Sequence, residues 1–136
     1  MKLLTLIRHA KADSPFDCKD FDRPLSARGE ADIARVAEQF QPITEPERIL
    51  TSSALRALTT TELFVSTTGL SSGRVTADER IYSADSRQLA ALLTDQASQL
   101  QHLILVGHNP TISELATDLC GEIHHFSPAT MLTLQL

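Results

Sequence analysis

Two short runs constrain the fold more than anything else in this chain. Leu3 to Ile7, interrupted only by Thr5, and Leu103 to Val106 are apolar. They are too short to span a membrane and lack the polar alternation of a strand with one wet face, so both read as buried strands. Each run breaks off at chemistry-bearing residues, Arg8-His9 after the first and Gly107-His108 after the second. Between them strand and helix signals alternate. That alternation implies an α/β fold, a three-layer α/β/α sandwich around a mostly parallel central sheet.

Residue spacing assigns the remaining elements. Ser26 is placed to cap a helix over Ala27 to Phe40, in which Ile33, Val36, Ala37 and Phe40 keep helical spacing. Arg48 to Thr51 reads as a second strand, and Ser52 or Ser53 as the cap of a helix that runs to about Thr68 and stops at Gly69. Val75 and its neighbours suit a third strand. Ser86 to Leu100 suits a helix with Leu89, Leu92 and Leu93 inward, and Pro110 opens another that ends near Leu119. Thr130 to Leu136 alternates as a last strand.

Composition narrows the function classes. A chain of 136 residues, 42% hydrophobic, fits a single domain, residues 1–136, with a substantial core. The net charge of −5, with both signs interspersed, argues against nucleic-acid binding. No stretch approaches membrane-spanning length, and the N-terminal run meets Arg8-His9 too soon for a secretory signal. Cys18 and Cys120 lie far apart and match no zinc spacing, which reads as two reduced thiols in a cytoplasmic protein. His102 falls on a polar turn, and His124-His125 beside Cys120 fits no usual ligand set. No metal and no cofactor are therefore expected.

In a parallel sheet the C-terminal ends of the strands share one edge, where ligands bind in open α/β folds. Arg8 and His9 after the first strand, Arg56 one helical turn beyond the second, and His108 after the fourth would converge there although the sequence scatters them. Two arginines and two histidines suit a phosphoryl dianion. The planar guanidinium donates parallel hydrogen bonds to two oxygens and stays charged at any working pH.

These residues resemble the histidine phosphatase superfamily, the phosphoglycerate mutase-like fold. LIRHAKA resembles its RHG signature, SSALRALTT its S-x-x-R-A-x-x-T element and VGHNP its second-histidine element. DFDRPLSARG is similar to the D-x-x-R-P-L-x-x-x-G pattern of the short, SixA-type phosphohistidine phosphatases. The resemblance implies that His9 is the nucleophile, that Arg8 and Arg56 hold the phosphoryl oxygens, and that His108 donates a hydrogen bond to the same group. Ala10 stands where many relatives have glycine, so a positive φ there would be strained. For the acid that protonates the leaving group, Glu79 in ADERIYS resembles the acid-bearing element of other branches. Asp22 is the weaker candidate, and with Arg23 it would instead shape the entrance.

No long insertion separates Arg56 from His108, so the site is expected to be open enough for a side chain of another protein. The reading this favours is a metal-independent phosphatase acting on phosphohistidine in a phosphotransfer domain or phosphocarrier. Its alternatives are a small-molecule phosphomonoesterase and a non-catalytic phosphoprotein-binding module. No nucleic acid and no membrane are expected as partners.

Overall fold

The computed structural model describes residues 2–136. Five strands, β1 (Leu3–Arg8), β2 (Arg48–Thr51), β3 (Val75–Ala77), β4 (His102–Gly107) and β5 (Met131–Gln135), form one sheet in the order β3-β2-β4-β1-β5. All neighbours are parallel except β5, which runs antiparallel to β1. Helices α1 (Ala27–Glu38) and α2 (Leu55–Thr68) cover one face, and the one-turn α3 (Arg80–Ser83), α4 (Ser86–Ala97) and α5 (Thr111–Cys120) cover the other.

The twofold period of the strands sorts the core between the two faces. Leu4, Leu6, Leu50, Leu103 and Leu105 pack on α4 and α5, while Ile7, Ile49, Ile104 and Val106 pack on α1 and α2. Every residue of β4 is buried, as a central strand requires.

Several elements depart from expectation. α1 stops at Glu38, short of Phe40, and α4 stops at Ala97. α4 starts behind Asp85, whose side chain accepts from the Gln88 amide while Gln88 returns the bond to the Asp85 amide, a reciprocal cap. Neither Ser52 nor Ser53 caps α2, which begins after Ala54 without a side-chain cap. His102 is not on a turn but opens β4, buried, between the Thr44 carbonyl at 2.6 Å and Thr5 Oγ1 at 2.7 Å. The burial of Thr5 and His102 is thus offset by their own hydrogen bonds.

Ser26 caps α1 as the sequence suggests, its hydroxyl accepting from the Gly29 amide. Gly29 has a separate reason to be glycine. A Cβ there would lie 2.1 Å from the Lys11 carbonyl oxygen, which already accepts from the amide and hydroxyl of Ser26. The start of α1 is therefore pressed against the loop leaving β1.

Candidate active site

Arg8 pairs with Gly107 across the β1–β4 ladder, so His9 and His108 leave the sheet side by side, with ring centroids 5.1 Å apart. β2 flanks β4 on its other side and delivers Arg56 in the first turn of α2. Arg56 Nε donates to His9 Nε2 at 3.3 Å. Arg8, His9, Arg56 and His108 line one cavity of about 460 Å³, joined by Lys11, Asp20, Arg23 and Asn109. The convergence expected from topology is present in the fold. Larger cavities lie against α4 and against α2, about 520 and 680 Å³, but they gather no comparable set of cations and imidazoles.

Local hydrogen bonds fix the chemistry of His9. Its Nδ1 lies 2.7 Å from the Ala10 carbonyl oxygen, an acceptor only, so the proton resides on Nδ1 and the lone pair on Nε2. Thr60 holds this loop in place, its Oγ1 accepting from the Ala10 amide at 3.0 Å and donating to the Arg56 carbonyl at 2.7 Å. That bridge gives the threonine of the S-x-x-R-A-x-x-T element a physical task. It ties the loop carrying His9 to the helix carrying Arg56. Ala10 does not take a positive φ, and its methyl is buried in the α1/α2 core, so alanine is unstrained there.

Arg8 is braced from below. Its Nη1 and Asn109 Nδ2 both donate to the Phe126 carbonyl, at 2.9 and 2.8 Å. Arg8 Nε and His108 Nδ1 are buried without a partner. Buried polar atoms without partners are costly and rare, and an anion entering the cavity would satisfy the Arg8 Nε donor. Both imidazoles are kept neutral. Burial first, then the charges of Arg56 and Arg8, push His9 down to about 4. Burial, the neighbouring His9 and Arg56 push His108 down to about 3.

The two expected acid residues lie outside this cavity. Glu79 is exposed just before α3 and does not line the cavity; Asp22 is exposed and does not line it either. The carboxylate that does line it is Asp20, two residues earlier in a single 3₁₀ turn, Asp20–Asp22. Its Oδ2 accepts from Arg56 Nη2 at 3.0 Å and from the Tyr82 hydroxyl at 2.6 Å, its Oδ1 from Arg23 at 3.1 Å, and its carbonyl from Arg56 Nη1 at 2.6 Å. The Tyr82 hydroxyl first, then Arg56 and Arg23, hold this carboxyl well below the usual carboxylate range. Arg23 does reach the cavity, as expected of it. Tyr82, unremarked in the sequence, packs edge-on against His108 with centroids 5.5 Å apart. Asp20 is the first residue of the D-x-x-R-P-L-x-x-x-G stretch, but that pattern does not say which of its two aspartates faces the cavity; Tyr82 carried no signal of its own.

Among the described residues no group of three or more His, Cys, Asp or Glu side chains is placed to hold a metal ion, and no helix is long and apolar enough to cross a membrane.

Comparison with known proteins places the chain in a family and a fold. The profile of the histidine phosphatase superfamily (branch 1) matches residues 4–102. An uncharacterized protein of Mycobacterium tuberculosis is 31% identical over 116 residues, 85% of this chain and 70% of its own length. Among solved structures, a candidate phosphohistidine phosphatase SixA from Agrobacterium tumefaciens superposes with a TM-score of 0.85 at 26% identity, over 98% of this chain and 91% of its own. The protein histidine phosphatase SixA complexed with tungstate gives 0.87 at 23% identity, over 98% and 88%. A mycobacterial glucosyl-3-phosphoglycerate phosphatase gives 0.69 at 18% identity, over 99% and 91%.

Proposed function

Since the chain belongs to the histidine phosphatase superfamily (branch 1), we propose that it hydrolyses phosphohistidine on a protein, such as a phosphotransfer domain or phosphocarrier, through a phosphohistidine formed on its own His9. The observation that carries this reading is the His9 Nε2 lone pair facing Arg56 Nε at 3.3 Å, in one cavity lined also by Arg8 and His108, whose Nε and Nδ1 are buried without a partner. A phosphoryl oxygen entering there takes over the Arg56 N–H and releases the Nε2 lone pair. Nε2 then attacks phosphorus in line, the substrate P–N bond breaks, and its electron pair leaves with the substrate imidazole, which is protonated by water. A second water attacks phosphorus and gives its proton to the hydroxide left by the first, the P–Nε2 bond breaks, and inorganic phosphate and free His9 result. The guanidinium groups neutralise the equatorial oxygens throughout, so the positive charge comes from the protein and no metal is needed.

The leaving group decides the substrate class. Asp20 is held ionised by Tyr82, Arg56 and Arg23, and Glu79 and Asp22 lie outside the cavity. Among the described residues no neutral carboxyl is poised to protonate an alkoxide, which favours the easily expelled imidazole over a sugar alkoxide. Access fits a protein substrate, because between Arg56 and His108 the chain builds only the rest of α2, a 3₁₀ turn, β3, α3, α4 and β4, with no inserted domain over the site. We place the reaction in the cytoplasm, where the free cysteines Cys18 and Cys120 would stay reduced.

The test is a brief incubation with a radiolabelled phosphohistidine protein, quenched in alkali. Acid-labile, alkali-stable label on the wild type and none on His9→Ala is the expected result. Label persisting in the variant overturns the nucleophile. Faster turnover of sugar or nucleotide phosphates than of the phosphohistidine protein overturns the substrate class.

A further inference from the structure

Ser52 is fully buried immediately after β2, its amide held by the Val106 carbonyl at 3.1 Å. Its hydroxyl makes two contacts. Oγ accepts from the Ala54 amide at 3.2 Å and lies 2.7 Å from His108 Nε2. An amide can only donate, so one Ser52 lone pair is spoken for and the hydroxyl proton needs an acceptor. Among the described residues its available acceptor is His108 Nε2. The opposite arrangement, with the proton on Nε2, would strand the hydroxyl proton in a buried site. It would also leave the unpartnered Nδ1 of this cavity-lining residue as a bare lone pair, which repels an anion instead of donating to it. Because His108 is kept neutral by burial and by the surrounding cations, it carries a single ring proton, and which nitrogen holds it is a two-way choice.

We propose that Ser52 is a positioning residue that fixes His108 in its Nδ1–H tautomer, so that a neutral imidazole presents a hydrogen-bond donor to the bound phosphoryl group. The proposal refines the phosphatase reading and rests on it for what the donor serves. His9 and His108 thereby receive opposite instructions from their neighbours. A carbonyl fixes the proton of His9 away from the substrate and leaves a nucleophile, while a hydroxyl fixes the proton of His108 on the nitrogen left free for it. Neither imidazole needs to be charged for this division of labour.

Long-range ¹H–¹⁵N correlation of the histidine rings in the ligand-free wild type reads the tautomer directly. His108 Nδ1 with a pyrrole-type shift and Nε2 with a pyridine-type shift is expected; the reverse overturns the proposal, whatever the activity. Turnover then separates a positioning role from a structural one. Ser52→Ala should lower kcat roughly 10- to 100-fold, the scale of a lost charge-assisted hydrogen bond. It should also shift the His108 nitrogens toward a tautomer average. In a His108→Ala background the same substitution should cost less than about twofold, since the group it acts through is gone. Equal losses in both backgrounds would mean Ser52 merely supports the fold, and the proposal fails. A wild type with the expected tautomer but no phosphatase turnover would instead overturn the proposed function and leave the Ser52 assignment standing.

Discussion

At the scale of single residues, the site depends on imidazoles that stay neutral well below the ordinary histidine range. His9 is shifted from 6.5 to about 4 and is nearly buried. An NMR titration should therefore show both His9 and His108 with midpoints below pH 5, and a midpoint near 6.5 for either would contradict the burial argument. The same shift enters stability with a definite sign. Between pH 6.5 and about 4 the unfolded chain takes up a proton at His9 that the folded chain refuses, so stability falls as pH falls through that window. The full effect at His9 is on the order of 3 kcal/mol. Denaturant midpoints at pH 7 and pH 5 should differ less in His9→Gln than in the wild type. The four principal residues were legible because each directly follows an apolar strand or falls one helical turn beyond one. The acid was not. In a 3₁₀ turn successive residues are about 120° apart, so Asp22 cannot share the facing of Asp20, and a sequence pattern alone does not say which of the two turns inward. Glu79→Gln and Asp22→Asn should accordingly leave turnover of phosphohistidine within about twofold, and a tenfold loss in either would restore that residue as a candidate acid.

At the scale of elements, two minor pieces of structure hold Arg56. The 3₁₀ turn of Asp20 and the one-turn α3 bearing Tyr82 meet through the Tyr82–Asp20 hydrogen bond, and Phe21 packs edge-on against Tyr82 with centroids 5.0 Å apart. Periodicity reveals long helices and buried strands, and the principal helices and all five strands were readable to within a few residues. A single helical turn has no period to detect, which is why α3 and its tyrosine escaped. The direction of β5 was equally unreadable, because alternation is the same in either sense. Since Asp20 supplies both the carbonyl and the carboxylate that orient the Arg56 fork, Asp20→Ala should lower kcat by roughly tenfold, the cost of a misaimed electrostatic donor. Tyr82→Phe should cost less, because it removes only the hydroxyl that steadies Asp20. An unchanged kcat in Asp20→Ala would show that Arg56 is held by the helix alone.

At the scale of the whole molecule, sheet order creates the site. Placing β4 between β1 and β2 brings His9, His108 and the start of α2 to one edge, although they lie up to about a hundred residues apart in the chain. The net charge of −5 coexists with a cavity lined by Arg8, Lys11, Arg23 and Arg56 against the lone carboxylate of Asp20. A tetrahedral or bipyramidal oxyanion should therefore bind without any metal and stabilise the fold in proportion to its occupancy. At vanadate concentrations a hundredfold above its Kd, linkage gives about 2.7 kcal/mol. For a chain of this size that raises Tm by roughly 8–10 °C. The rise should be the same with and without a chelator, and should be largely lost in Arg56→Ala, which removes the guanidinium beside His9. A rise that disappears in chelator and returns with a divalent ion would mean that a metal supplies the charge assigned here to the two arginines. A rise that survives Arg56→Ala undiminished would place the oxyanion elsewhere on the molecule.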